Sequence, residues 1–235
     1  MNKTVIQIQN LSKSFPVGNQ KVPVLKNLNF GIESGDFCII VGPSGCGKST
    51  LLHTILGLEK PTWGTCHLLS QDLYHDMDED QISEFRKNHI GMIYQQPNWI
   101  KSLTVLENVA FPLVLMGKPH SENLINANNL LTAIKMDPWA SYLPTQLSSG
   151  QQQKVSLVRA LISNPEIIIA DEPTGNLDFE SGQELMQLLV DLNHQKGKTI
   201  LMVTHDLEYL KFAKTILKMF DGNIVSKYKQ KQHDR

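Results

Sequence analysis

Between residues 37 and 58 the chain reads FCIIVGPSGCGKSTLLHTILGL, and this stretch constrains the fold more than any other. FCIIVG (37–42) is a continuous apolar run, the pattern of a strand buried on both faces of a parallel sheet. STLLHTILGL (49–58) has the apolar spacing of a helix. The joining segment, GPSGCGKST (42–50), matches G-x-x-x-x-G-K-[ST]. Strand, glycine loop and helix in that order aim backbone N–H groups at one point, and the helix start adds positive potential there. Gly42, Gly45 and Gly47 let the loop curl, with Ser44 and Cys46 between them. Lys48 can then reach the terminal oxygens of a bound polyphosphate. The Ser49 hydroxyl, with Thr50 beside it, is suited to ligating Mg²⁺. Cys46 reads as a small filler; the sharper reading is thiol-sensitive nucleotide binding, because a helix N-terminus activates thiols.

Bulk composition narrows the class. The 235 residues allow one large domain or two small ones. A net charge of −1 gives no basic footprint, so nucleic acid is not an expected partner. Cys38, Cys46 and Cys66 are odd in number, lack metal spacing and read as reduced thiols. No apolar run approaches the ~18–20 residues that span a bilayer. VAFPLVLM (109–116) is short and holds a proline, and MNKTVIQIQN alternates like a strand rather than a signal peptide. Work at a membrane would therefore be carried there by another chain.

Along the chain, the first thirty residues read as strands: VIQIQ, then VPVLKNLNFGI after turn residues near Gly18–Asn19. From about 97 to 160 strong strands are absent and helical runs appear, such as SENLINANNLLTAIKM (121–136), weakened by four asparagines. The last third alternates again: strand 166–171, helix 180–195, strand 198–206, a helix, then KMFDGNIV (218–225) with the hairpin pair Asp221-Gly222. Alternating strands and helices imply an α/β sheet. The tail SKYKQKQHDR is polar and expected to fray.

Three further clusters carry chemistry. IIIADEP (167–173) is a buried strand ending in Asp171 and Glu172. Phosphoanhydride hydrolysis needs one carboxylate near the metal and one to activate water, the roles expected of Asp171 and Glu172. TILMVTHD (199–206) is another apolar strand, ending in His205, at the sheet edge where α/β proteins bind ligands. QLSSGQQQKVSLVRAL (146–161) looks like a helix start, with Ser148 and Gln151 at capping-box spacing and Gly150 permitting close approach. Its free N–H groups favour an anion, yet no phosphate-gripping Gly-Lys pair lies nearby.

Together these residues resemble the ATPase subunit of ABC transporters, over about residues 3–225. GPSGCGKST matches the Walker A loop, Gln95 in GMIYQQ the Q-loop, LSSGQ (147–151) the signature, IIIADE Walker B, GNLD (175–178) the D-loop with Asp178, and His205 the switch histidine. Phe15 falls where the family places an aromatic that stacks on adenine. LEKPTWG, GQQQKVSLVRAL, ADEPTGNLD and ENVAFPLVLMGK look like the group that includes the macrolide-exporter, lipoprotein-release, cell-division and antimicrobial-peptide-resistance ATPases (MacB, LolD, FtsE and BceA types). Ser149 replaces the usual first glycine of LSGGQ, Lys154 a commoner arginine, and Phe15 a commoner tyrosine.

The resemblance implies an α/β P-loop NTPase fold with a RecA-like core, an N-terminal antiparallel β subdomain and an inserted α-helical subdomain. It implies a single ATPase domain over 1–235: core about 1–96 and 165–225, helical subdomain about 97–164, frayed tail 226–235. It implies ATP and Mg²⁺, with metal ligands Ser49, Gln95 and Asp171, and catalytic roles for Glu172, His205, Gln95 and Lys48. A second ATPase subunit would stack head to tail, so that Ser148, Gly150 and Gln151 meet the γ-phosphate of ATP held by the other copy. An integral membrane permease would bind the surface around 95–114, where Trp99 and Phe111 form either a docking groove or internal packing. The protein would sit peripherally on the cytoplasmic face of the inner (plasma) membrane, driving export, lipoprotein release or mechanotransmission. The alternative is a regulatory or scaffold ATPase of cell-division type. A soluble kinase or GTPase would need no signature turn. A chromosome-maintenance relative would need a coiled-coil insertion, and a translation-associated one two motif sets.

Overall fold

The computed structural model describes residues 3–230. In chain order its main elements are β1 (Thr4–Val17), β2 (Gln20–Glu33), β3 (Phe37–Val41), α1 (Lys48–Ile55), β4 (Trp63–Leu68), β5 (Gln71–Asp72), α2 (Glu79–His89), β6 (Ile90–Ile93), α3 (Val105–Leu115), α4 (His120–Ala133), α5 (Ser149–Leu161), β7 (Ile167–Asp171), α6 (Phe179–Lys196), β8 (Thr199–Thr204), β9 (Thr215–Phe220) and β10 (Asn223–Lys229). They divide into two units, one from Met1–Arg86 with Val190–Arg235, the other Lys87–Leu189.

In the first unit, Gly18 and Asn19 turn β1 back on β2 as an antiparallel hairpin running from Val17↔Gln20 to Thr4↔Glu33. β1 is longer than the expected VIQIQ. It passes through Asn10, at φ 49°, and continues through shifts in register to Val17. The other edge of β1 pairs with β4, and β4 with β5, both antiparallel. β3 lies between β8 and β9, parallel to both, with Cys38 opposite Leu201 and Thr215. Every residue of β3 and β8 is buried, as the unbroken apolar runs require. Asn193 fixes the entry to β3: its amide donates to the carbonyls of Gly35, Asp36 and Lys198. β9 and β10 form the hairpin signalled by Asp221-Gly222, at φ 43° and 75°. Part of the tail expected to fray is strand instead: β10 stays paired with β9 as far as Lys229↔Thr215. Residues 231–235 of that tail lie outside the described residues.

In the second unit β6 and β7 run parallel, with Ile93 opposite Ala170. Helices α3, α4 and α5 enclose a core that includes Val109, Leu113, Ala127, Leu131, Val155 and Val158. α3 starts at a capping box: Thr104 Oγ1 accepts from Glu107 N at 3.2 Å, and Glu107 Oε2 accepts from Thr104 N at 2.8 Å. Donation from the Thr104 backbone and hydroxyl holds the Glu107 carboxyl below its usual range. α4 stops at Ala133 rather than 136, because Lys135 adopts φ 60°. One of its four asparagines is buried: Asn123 donates to Lys118 O at 3.0 Å and lines up with Ala127 and Leu131 on the packed face.

Candidate functional site

The phosphate loop leaves the C-terminal end of β3 and enters α1 at Lys48. Gly47 caps α1 without any side-chain hydrogen bond, and the first turn has no acidic residue. Helix geometry leaves the amides of that turn without intrahelical partners. Lys48 is 5% exposed, and its ammonium donates to Gly42 O at 2.8 Å and Pro43 O at 2.9 Å. The cation therefore sits inside the curl of the loop, beside the orphaned amides, a combination that fits a phosphate chain. Pro43, Ser44, Gly45 and Ser49 are exposed, and Thr50 is half-buried. Cys46 is buried; its carbonyl accepts from Gly222 N at 3.0 Å, tying the loop to the β9–β10 turn.

His205 is placed by register. Val41 and Thr204 are partners on adjacent parallel strands, so Gly42 and His205 leave those strands at the same level. His205 is exposed, and Asp206 behind it donates its amide to Thr204 Oγ1 at 3.0 Å. Phe15, on β1 opposite Val22, is half-buried. The Lys13 ammonium lies 4.8 Å from its ring centroid, itself paired with Glu59 and with Lys60 O.

In the second unit Gln95 follows β6 and is exposed. Its carbonyl accepts from Gln153 Nε2 at 2.8 Å and from Asn176 Nδ2 at 3.4 Å. Its side chain lies against the turn after β7: a Cβ on Gly175 would stand 2.8 Å from Gln95 Nε2. Asp171 ends β7, and Glu172 follows at φ 44°, a left-handed conformation that costs a non-glycine residue about 1–2 kcal/mol. Strain of this kind gathers at functional sites. Both side chains are half-buried. Asp178 precedes α6 and accepts from Ser181 N at 2.9 Å and Ser181 Oγ at 3.0 Å. Those donations, the backbone one first, hold its carboxyl below the usual range.

The signature turn is a capping box. Ser148 Oγ accepts from Gln151 N at 3.3 Å, and Gln151 Oε1 accepts from Ser148 N at 3.0 Å. The neighbour that Gly150 admits lies in the same chain: an added Cβ would meet Ser181 Oγ at 2.7 Å. Ser149 is exposed. Lys154 pairs with Glu184 at 2.6 Å, a contact its point charge makes without a planar fork. Trp99 is part of the internal packing rather than a groove. It stacks under Arg159 at 4.4 Å, donates to Gln152 Oε1 at 2.9 Å, and packs on the α3–α5 core. Phe111 is half-buried.

The sequence pattern singles out neither Gln153 nor Ser181, and it places Asn176 in the D-loop and Gly222 in a hairpin turn without their contacts to Gln95 and Cys46. Gln153 alone left a local signal, an amide at helical spacing from the buried Leu157 and Ala160.

The model of the ABC transporter family matches residues 25–175. The chain belongs to the ABC transporter ATPase family. An uncharacterized ABC transporter ATP-binding protein of Methanocaldococcus jannaschii, MJ0796, is 40% identical over 98% of this chain and 99% of its own length. A second such protein of that organism, MJ1508, is 45% identical over 94% and 98%. The macrolide export ATP-binding/permease protein MacB of Vibrio parahaemolyticus is 40% identical over 96% of this chain, which spans 34% of MacB. Among solved structures, a dimeric post-hydrolysis state of MJ0796 bound to ADP and Pi superposes with a TM-score of 0.89 at 38% identity, covering 97% of this chain and all of that one. This ABC cassette is thus an ATPase of the MacB, LolD and FtsE group. Its α/β P-loop fold is that of the ABC ATPases, as the motif order implied.

Proposed function

We propose that this chain is the ATP-hydrolysing subunit of a membrane complex, working as a head-to-tail pair of identical subunits. The observation that carries the reading is the full-length similarity to a cassette solved as a dimer with ADP and Pi, joined to the capping-box geometry of the signature turn at Ser148. Phe15 would stack on adenine with the Lys13 cation on its ring. Lys48 would leave the Gly42 and Pro43 carbonyls and move to the β- and γ-phosphates. The signature residues Ser148, Gly150 and Gln151 of one subunit, with Asp178 beside them, would complete the phosphate shell of the other.

The donors assigned to Mg²⁺ are a hydroxyl (Ser49), an amide oxygen (Gln95) and a single carboxylate (Asp171). Among the described residues no cluster of three His, Cys, Asp or Glu could hold a metal. Such a hard, weakly charged set fits a magnesium ion that arrives on phosphate oxygens rather than a resident metal. When bound, the ion neutralises charge on the β- and γ-phosphates. Glu172 would orient water and take its proton as the water oxygen bonds to the γ-phosphorus and the bond to the β-bridging oxygen breaks. His205 would steady the departing phosphate. Closure excludes water and pre-assembles these groups.

No helix among the described residues is long and apolar enough to cross a membrane. The ATP cycle would reach an integral permease, seated on the cytoplasmic face, through the surface around Gln95. The name of MacB, which joins an ATP-binding part and a permease, supports export as the work performed. The test is Glu172→Gln: steady-state hydrolysis falls by ~10²–10⁴ while ATP affinity is kept, as for a lost general base. Near-native turnover in this variant removes Glu172 from the role.

A further inference from the structure

Residues 94–99 are tied to the signature helix α5 by three side chains. Gln153, 2% exposed, donates through Nε2 to two successive carbonyls, Tyr94 O at 2.9 Å and Gln95 O at 2.8 Å. Gln152 accepts from Trp99 Nε1 at 2.9 Å and donates to Leu147 O at 3.1 Å. Further along α5, Arg159 donates to Asn98 O at 2.7 Å and covers the Trp99 ring at 4.4 Å. The contacts lie on one helix and grip both ends of a six-residue segment. Gln153 sits where water cannot replace its bonds, so breaking them costs more than an exposed pair would.

We propose that Gln153, seconded by Arg159, is a positioning residue that locks the 94–99 segment to α5, so that Gln95 and the Ser148–Gln151 turn move as one body. The inference rests on the roles given above to Gln95 and Ser148. It assigns the step those roles leave open: how a displacement at the permease-facing segment reaches the turn that meets the partner's ATP. Gln153 would touch neither nucleotide nor metal. The force would pass from the Tyr94 and Gln95 carbonyls through a single amide into the first turns of α5. Arg159 and Trp99 would keep the far end from hinging away.

Two variants test the lock. Gln153→Met keeps the length and volume of the side chain and deletes both donors. Arg159→Lys keeps the charge and deletes the planar fork. In the nucleotide-free chain, amide hydrogen exchange across 94–99 should rise about tenfold in each, with β3 and β8 unchanged. In a Glu172→Gln background, the dissociation constant of the ATP-driven dimer should rise about tenfold, equivalent to about 1.4 kcal/mol. ATP affinity of the single subunit should stay at the parent value. Unchanged exchange over 94–99 overturns the lock. Raised exchange with unchanged dimerisation overturns its role in transmission, as does a fall in ATP affinity that parallels the loss of dimer, which marks general damage. Should the Glu172→Gln parent itself stay monomeric with ATP, the paired-subunit reading fails, and the exchange data still decide whether the lock exists.

Discussion

Gly222→Ala and Gly45→Ala form a matched pair of perturbations at the phosphate loop. Both glycines have left-handed backbones, φ 75° and 77°, so alanine pays the same conformational penalty at each, about 1–2 kcal/mol. Their surroundings differ. A Cβ on Gly45 meets nothing within 4 Å, whereas one on Gly222 would stand 2.4 Å from Val24 O and 3.1 Å from Val24 C. Relief of that clash moves the turn away from β2. The turn is held by Lys26 N donating to Gly222 O at 2.8 Å and Gly222 N donating to Cys46 O at 3.0 Å. Losing one or both of these adds about 1–2 kcal/mol. Gly45→Ala should therefore cost about 1–2 kcal/mol and Gly222→Ala about 2–4 kcal/mol. For a chain of this size each kcal/mol lowers the melting midpoint by roughly 2–4 °C. Thermal melts of the nucleotide-free variants separate the two. Gly222→Ala should also weaken ATP binding, because Cys46 belongs to the phosphate loop. Equal melting points for the two variants would refute the claim that the Asp221–Gly222 turn buttresses that loop.

Two further outcomes are expected. Asn108 is 1% exposed, donates to Ile100 O, Leu103 O and Thr104 O, and accepts from Ile100 N; Asn108→Leu strands these groups and should cost about 3 kcal/mol or more in urea unfolding. The Asp178 carboxyl is held low by Ser181, so its ionised form contributes stability that is fully present above the ordinary carboxylate value, about 3.9, and is lost as pH falls through the lower folded value. The gap between the unfolding midpoints of wild type and Asp178→Asn should accordingly be widest at neutral pH and close in strong acid; a gap independent of pH would show that the charge contributes nothing.

How far the sequence could be read depended on how local each determinant is. The Walker A loop was legible because its strand, glycines, lysine and helix occupy one continuous stretch. The signature capping box was legible for the same reason, since Ser148 and Gln151 satisfy each other three residues apart. Gly150 was legible only as a close approach; its neighbour Ser181 arrives from another helix, 31 positions away in the printed sequence. Gln153 reaches Tyr94 across 59 residues, and no pattern within α5 states that target. Helix α2 escaped because only Ile82 and Phe85 of its residues are buried, too few to show a period. Its start was nonetheless written in the reciprocal bonds of Asp78 and Gln81. Trp99 could be read as a surface anchor or as packing, and its hydrogen bond to Gln152 and its stacking under Arg159 decide for packing.

The measurement that bears most directly on the shared-site account is the mass in solution of Glu172→Gln, by light scattering, with and without ATP. The account predicts a monomer that becomes a dimer on adding ATP, and predicts that Ser148→Arg, which sets a bulky side chain on the signature turn, abolishes the shift while leaving ATP binding intact. A variant that binds ATP tightly and stays monomeric at every concentration, or a dimer indifferent to Ser148→Arg, would contradict it.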